Sequence, residues 1–193
     1  MNVIIIDYGA GNIQSIQFAF QRLGVHAKLS NSVDEILKAD KVIFPGVGEA
    51  SQAMRMLKKS KLDLLIPNLK QDVLGICLGM QLLCNHSEEG DTQGLGIFDV
   101  DVKRFSDAVK VPHMGWNTIQ NLQSGLLMGI SENSYMYSVH SYYANTGNQT
   151  IACSQYEHEF SAALQSDNFY GVQFHPEKSS KDGAQLLQNF LNL

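Results

Sequence analysis

The segment Gly75-Ile76-Cys77-Leu78-Gly79-Met80-Gln81 carries the strongest chemical signal in the 193-residue sequence. The apolar run Val73 to Ile76 reads as a buried strand that enters a helix near Leu78. Cys77 then stands at the strand-to-helix turn between two glycines, the layout of a nucleophile elbow with sulfur in place of oxygen. So sharp a turn crowds the backbone, and a side chain at either glycine would block approach. Unpaired N–H groups at the start of the helix favour thiolate over thiol. A buried structural cysteine is the plain alternative, and it suits Cys84 and Cys153. The flanking glycines set Cys77 apart as a candidate nucleophile.

A cysteine nucleophile needs a base. Of six histidines, His175 ends the apolar run Val172-Gln173-Phe174 and is followed by Pro176 and Glu177. Proline biases the residue before it toward extended backbone, where residues two apart point the same way. Glu177 can therefore fix the tautomer of His175 and steady its protonated form. Cys77 and His175 both fall at the C-terminal ends of predicted strands, where open α/β sheets place their sites. That points to a Cys–His–Glu triad. A third strand end carries Pro45-Gly46-Val47-Gly48, which lacks the Lys-Ser/Thr of a phosphate-binding loop. Gly9-Ala10-Gly11 does not complete a GxGxxG either, because position 14 is Gln14. Backbone N–H groups of Gly46 and Val47, with that of Leu78, can instead stabilise an oxyanion, and glycine lets the peptide rotate.

The elements that position these residues alternate through the first half of the chain. Val3 to Asp7 reads as a strand, and Asn12 caps a helix with Ile13, Ile16, Phe20 and Leu23 at helical spacing. Ser32 and Glu35 have capping-box spacing. Val42 to Phe44 is a strand, and Glu49 to Leu57 a helix with Ala50, Ala53, Met54 and Leu57 on one side. The second half is strand-rich: Val100 to Phe105, Asn117 to Gln120, Tyr135 to Val139, Ile151 to Gln155, Ala162 to Gln165 and Tyr170 to Phe174. A closing helix uses Leu186, Leu187, Phe190 and Leu191. The pattern predicts one α/β domain over 1–193, flavodoxin-like, with a mostly parallel central sheet, helices on both faces and an antiparallel extension.

Composition narrows the function classes. Lys and Arg number 14 against 19 Asp and Glu, a formal charge of −5 with no dense basic block, which argues against nucleic acid. Apolar runs are strand-sized, so no membrane span is expected. Met1 and Asn2 precede the first run without a basic segment, so a signal peptide is not expected and the cytoplasm is the expected location. Three cysteines match no common zinc spacing and cannot all pair within one chain.

Taken in order, these segments resemble the class I (triad) glutamine amidotransferases over essentially the whole chain. The cysteine elbow and His175-Pro176-Glu177 belong to the whole class. Two further segments, Asp7-Tyr8-Gly9-Ala10-Gly11-Asn12 and His113-Met114-Gly115-Trp116-Asn117, look specific to the glutaminase subunits of imidazole glycerol phosphate synthases. The similarity to those subunits also takes in Val139-His140-Ser141-Tyr142-Tyr143. Ile97-Phe98-Asp99-Val100 departs from the Pro-Gly turn usual there, away from the motifs.

The resemblance implies glutamine hydrolysis without a metal or organic cofactor, the ammonia passing to a cyclase subunit that is a (β/α)₈ barrel. It also implies Gly46, Gln81, Ser141 and Tyr142 at the glutamine site, and Asn12 and Trp116 at the partner interface. Plainer roles exist for several of these. Trp116 can be core, His140 a satisfied strand histidine, and Asp7 with Asn12 a turn and a cap. At the level of function, a paralogous glutaminase serving a modified-sugar synthase carries the same motifs. An inactive flavodoxin-like module would not need an intact triad, and a cysteine peptidase leaves Gln81 and the opening loop unexplained.

Overall fold

A computed structural model of the chain describes residues 1–9 and 11–193. Ala10, inside the opening motif, lies outside the described residues. The chain runs β1 (Val3–Ile6), α1 (Ile13–Arg22), β2 (Ala27–Ser30), α2 (Val33–Leu37), β3 (Lys41–Phe44), α3 (Ala50–Lys59), α4 (Leu62–Leu65), β4 (Asp72–Ile76) and α5 (Leu78–Leu83). It continues through β5 (Cys84–Ser87), β6 (Thr92–Gln93), β7 (Phe98–Arg104), β8 (His113–Thr118), β9 (Tyr135–His140), β10 (Tyr142–Ala144), β11 (Thr150–Gln155), β12 (Glu159–Ser166), β13 (Phe169–Val172) and α6 (Ser180–Asn192).

Seven strands form the central sheet in the order β11-β12-β13-β4-β3-β1-β2. From β13 to β2 every pairing is parallel, and β12 and β11 add the antiparallel extension. Alternation along β1 shows how the layers are built, because successive strand residues face opposite sides. Val3 and Ile5 join one core with Ile16, Ala19 and Phe20 of α1 and Leu186, Leu187 and Phe190 of α6. Ile4 and Ile6 join the other with Ile36 of α2, Ala53, Met54 and Leu57 of α3, and the side chains of α5. Helices therefore cover both faces. The α/β architecture expected from the pattern is the one observed.

Several details differ from expectation. Asn12 holds the N-cap position of α1, but its side chain makes no cap hydrogen bond and lines a cavity instead. The Ser32–Glu35 box does not form: Ser32 makes no cap bond, and Glu35 pairs with Lys28 of β2 at 2.7 Å. The strand expected at Asn117 to Gln120 begins at His113 and ends at Thr118, leaving Gln120 in an isolated bridge to Cys153. Strand β8 pairs only with β9, as an antiparallel ribbon outside the central sheet. Strands β5, β6, β7 and β10 make a further four-stranded sheet, of which only β7 is legible in the sequence.

Candidate active site

Strand register brings the predicted triad together. Strand β13 pairs in parallel with β4, with Val172 opposite Ile76, so both chains reach the sheet's C-terminal edge together. The Cys77 N–H donates to the Val172 carbonyl at 2.8 Å. His175, three residues beyond Val172, is held by its own N–H on the Tyr137 carbonyl of β9, also at 2.8 Å.

Cys77 has φ +54° and ψ −111°, a conformation sparsely populated by non-glycine residues and costing roughly 1–3 kcal/mol. Close packing around the turn enforces it. A Cβ on Gly79 would lie 1.9 Å from the Phe44 carbonyl oxygen, and one on Gly75 would lie 2.9 Å from the Met80 nitrogen. Both glycines are required because α5 presses onto the ends of β3 and β4.

His175 Nδ1 and Glu177 Oε1 are 2.9 Å apart, both side chains nearly out of solvent. That contact leaves Nε2 for Cys77. Burial disfavours charge on His175, but the hydrogen bonds and opposite charges of Cys77 and Glu177 outweigh it and push its pKa up to about 10. The unit accordingly holds imidazolium beside sulfur and carboxylate. The other oxygen of Glu177, Oε2, is buried without a hydrogen bond among the described residues.

A cavity of about 420 Å³ opens over this edge. Cys77, His175, Leu78, Gln81, Ser141 and Tyr142 line it, together with Val47 and Asn12. Gly46 does not line it: a Cβ there would meet the Gly79 nitrogen at 2.7 Å, so Gly46 sits beneath, packed on the start of α5. The Pro45 carbonyl before it accepts from the Tyr8 hydroxyl at 2.7 Å, whereas Val47 beyond it is 42% exposed. Trp116 lies apart from the cavity, 52% exposed and edge-on to Tyr137 at 5.9 Å. Exposure rules out the core reading of Trp116.

Several cavity-lining residues are not among the site residues expected from the sequence, Glu89, Lys178 and His140 among them. Glu89 lines the cavity while its Oε2 accepts from the Ala50 N–H at 2.8 Å, capping α3; burial raises its pKa. Its setting, Ser87-Glu88-Glu89-Gly90-Asp91, reads only as an acidic turn. Lys178 lines the wall too, and only its place in the His175 motif hints at it. His140 also faces the cavity, but it is paired with His113 (Nε2 to Nδ1, 3.1 Å) and donates from Nδ1 to the Tyr142 carbonyl at 2.8 Å. That is the satisfied strand histidine of the plainer reading. Cys84 and Cys153 are buried and free, and burial raises the pKa of each. Among the described residues no group of three or more His, Cys, Asp or Glu side chains could hold a metal ion, and no helix is long and apolar enough to cross a membrane.

Comparison with known proteins gives the family of a chain with this fold. The family described as "Glutamine amidotransferase class-I" matches residues 4–193, and the chain belongs to it. Solved structures with the same fold include PurLQS from Thermotoga maritima, with TM-score 0.75 and 16% identity over 99% of this chain and 97% of that one. Within the class, the chain belongs with the HisH subunits of imidazole glycerol phosphate synthase. It is 55% identical to the one from Bacteroides thetaiotaomicron over the full length of both chains. It is 46% identical to that from Haemophilus influenzae over 99% of this chain and 97% of the relative.

Proposed function

We propose that the whole chain acts as one glutaminase domain in the cytoplasm, releasing ammonia from glutamine for a (β/α)₈-barrel cyclase partner of imidazole glycerol phosphate synthase. The observation that carries this is the triad itself: His175 sits on Glu177 at 2.9 Å and lines the same cavity wall as the elbow cysteine.

The Cys77 thiolate attacks the side-chain amide carbon of glutamine, forming a C–S bond and moving the carbonyl electron pair onto oxygen. N–H groups of Val47 and Leu78, with Gly46 beneath them, stabilise that oxyanion. The C–N bond then breaks as imidazolium His175 gives its proton to nitrogen, and ammonia leaves a γ-glutamyl thioester. Neutral His175 takes a proton from water, which attacks the thioester. The C–S bond breaks, glutamate departs, and thiolate and imidazolium are restored.

Gln81, Ser141 and Tyr142 form the wall of the glutamine site, and Gly46 supports it from beneath through its backbone. The Gln81 NH₂ is committed to the Tyr142 carbonyl (2.9 Å) and Gln173 Oε1 (2.8 Å), which leaves its own oxygen to accept from substrate. Glu89 supplies negative charge for the substrate's α-ammonium. Asn12 and exposed Trp116 belong to the face that meets the cyclase.

Activity is coupled to the partner. Tyr8 pins the Pro45 carbonyl, so the turn beyond it is where N–H groups can swing toward or away from the oxyanion. Misplacing one such donor costs about 10²–10³ in rate. Glutaminase turnover is measured for the chain alone, with the cyclase, and with the cyclase plus its nucleotide substrate. A strong rise across the three supports the reading; agreement within about twofold, under ~0.5 kcal/mol of barrier, removes the coupling.

A further inference from the structure

We propose that Gln173 is a catalytic residue, donating a hydrogen bond from its side-chain amide to the Cys77 sulfur, and that Gln81 is the positioning residue that aims it. The inference rests on Cys77 being the nucleophile of the proposed glutaminase.

Gln173 is 1% exposed, one residue past the end of β13. The β13–β4 register that sets Val172 opposite Ile76 makes the next residues, Gln173 and Cys77, neighbours across the two strand ends. Gln173 Nε2 stands 3.8 Å from Cys77 Sγ, within range of a hydrogen bond to sulfur.

The direction of that amide is fixed by partners that cannot be inverted. A backbone carbonyl only accepts, so the Tyr142 carbonyl must face the NH₂ of Gln81, at 2.9 Å. The same NH₂ gives its second hydrogen to Gln173 Oε1 at 2.8 Å. Gln173 therefore turns its own NH₂ away from Gln81 and toward the sulfur. The Tyr142 carbonyl is itself held by the Nδ1–H of His140 at 2.8 Å. That carbonyl accepts from both His140 and Gln81, and two donors in series, Gln81 to Gln173 and Gln173 to sulfur, end on the nucleophile.

The chemistry uses that donor twice. Sulfur is anionic before it attacks and again when the C–S bond of the thioester breaks, and an N–H aimed at it stabilises both states. The Val139 carbonyl, 3.9 Å from Sγ, can only accept from the protonated thiol and so favours the opposite state. Gln173 offsets that preference.

The test is alkylation of Cys77 by iodoacetamide in the full chain as a function of pH, with the modified peptide identified by mass spectrometry. This readout needs neither glutamine nor partner. Were Cys77→Ala to keep glutaminase activity, the functional reading would fall, while the titration would still report the amide–sulfur contact. The titratable groups near Cys77 are His175 with Glu177 behind it, His140, Tyr8, Glu89 and Lys178, and none is altered by the substitutions used.

Gln173→Glu keeps an acceptor for Gln81 but replaces the donor by a carboxylate. It moves the midpoint of the alkylation profile up by about one pH unit, making alkylation below the midpoint about tenfold slower. Gln173→Met moves it up by less. Gln81→Met leaves Gln173 in place but frees its amide, and gives the smallest shift in the same direction. Midpoints within about 0.2 unit of the wild type, in variants that melt cooperatively, overturn the proposal. So does a lowered melting temperature with an unmoved midpoint, which assigns the amide to packing. Where neither Gln173 variant folds, Gln81→Met decides alone, and an unmoved midpoint there overturns it.

Discussion

His175 and His140 line the same cavity and are equally buried, each 6% exposed, yet their surroundings drive them to opposite charge states. Burial disfavours the imidazolium at both. At His175 the hydrogen bonds and charges of Cys77 and Glu177 overcome it, and the pKa rises to about 10. At His140 burial dominates, the Tyr142 carbonyl opposes it only in part, and the charges of His113 and His175 add to it; the pKa falls to about 3. Around His140 stand Phe105 at 5.5 Å and Phe160 at 5.4 Å between ring centroids, and His113 stacks on Tyr156 at 4.1 Å. An aromatic box with no carboxylate keeps a histidine neutral, and the Cys77 sulfur with a buried glutamate two residues along the chain keeps another charged. The partner, more than the burial, decides what a buried histidine can do.

Removing the sulfur should break the charged side of this contrast most completely. Cys77→Ala abolishes glutamine hydrolysis while preserving the fold, since no other thiol stands at the elbow. It also takes away one of the two partners that raise His175, so the imidazole titrates at lower pH by NMR. Labelling of Cys84 in preference to Cys77 by a glutamine-analogue electrophile would count against the assignment.

Next in size, His175→Ala removes the proton carrier and lowers kcat by about 10²–10⁴. Glu177→Gln keeps a hydrogen-bonding group but not the charge, and so makes the surroundings of His175 more like those of His140. Its loss in turnover is smaller than that of His175→Ala, and its His175 titrates lower. Wild-type turnover in Glu177→Gln at saturating glutamine and neutral pH removes Glu177 from the triad.

Stability against pH sharpens the comparison with a smaller signal. His113 and His140 have lowered folded pKa values, so their contribution is fully present above about pH 6.5, the ordinary histidine value. It is lost as pH falls toward the folded values, costing about 1–2 kcal/mol between pH 7 and pH 5. His175 has the opposite sign: its contribution is fully present below about pH 6.5 and is lost as pH rises toward its folded value. Urea midpoints measured from pH 5 to pH 9 give both arms, and His140→Phe flattens the acid one. An equally steep acid arm in His140→Phe would mean that other groups carry it.

The smallest effect belongs to the cysteines outside the site. Cys84→Ala and Cys153→Ala retain glutaminase turnover, and Cys84→Ala, from a fully buried position, lowers stability by about 1 kcal/mol. A loss of activity in either, with the fold intact, would show that the elbow is not the only cysteine that matters.

Much of this is legible in the sequence because the signals are local. The Cys77 elbow is a strand, a turn and a helix within seven residues, and His175 reaches Glu177 across one proline. Ala50, Ala53, Met54 and Leu57 are readable as one face of α3 because helical spacing announces it, and all four are buried. Strand β8 falls earlier than its pattern suggests because Met114 and Trp116 are apolar yet exposed, which disguises its alternation. Strand β5 is mostly polar and β10 is only three residues long, so neither stands out, and Glu89 reads as one acid in an acidic turn. The Ser32–Glu35 spacing suggests a box, but Lys28 on the neighbouring strand takes the glutamate.

By itself, then, the sequence determined which residues could react, which strands carried them to an edge, and which class of chemistry they suit. These are properties of neighbours along the chain, set by backbone geometry, side-chain type and hydrophobic period. Tertiary structure alone decided that Cys77 meets His175, nearly a hundred positions away. It also decided that Gln173 turns its NH₂ to the sulfur, that Gly46 lies beneath the cavity wall, and that His140 stays neutral beside a charged His175. Each depends on the β13–β4 register or on what packs around a buried group, and neither desolvation nor a through-space charge has any counterpart in the spacing of residues.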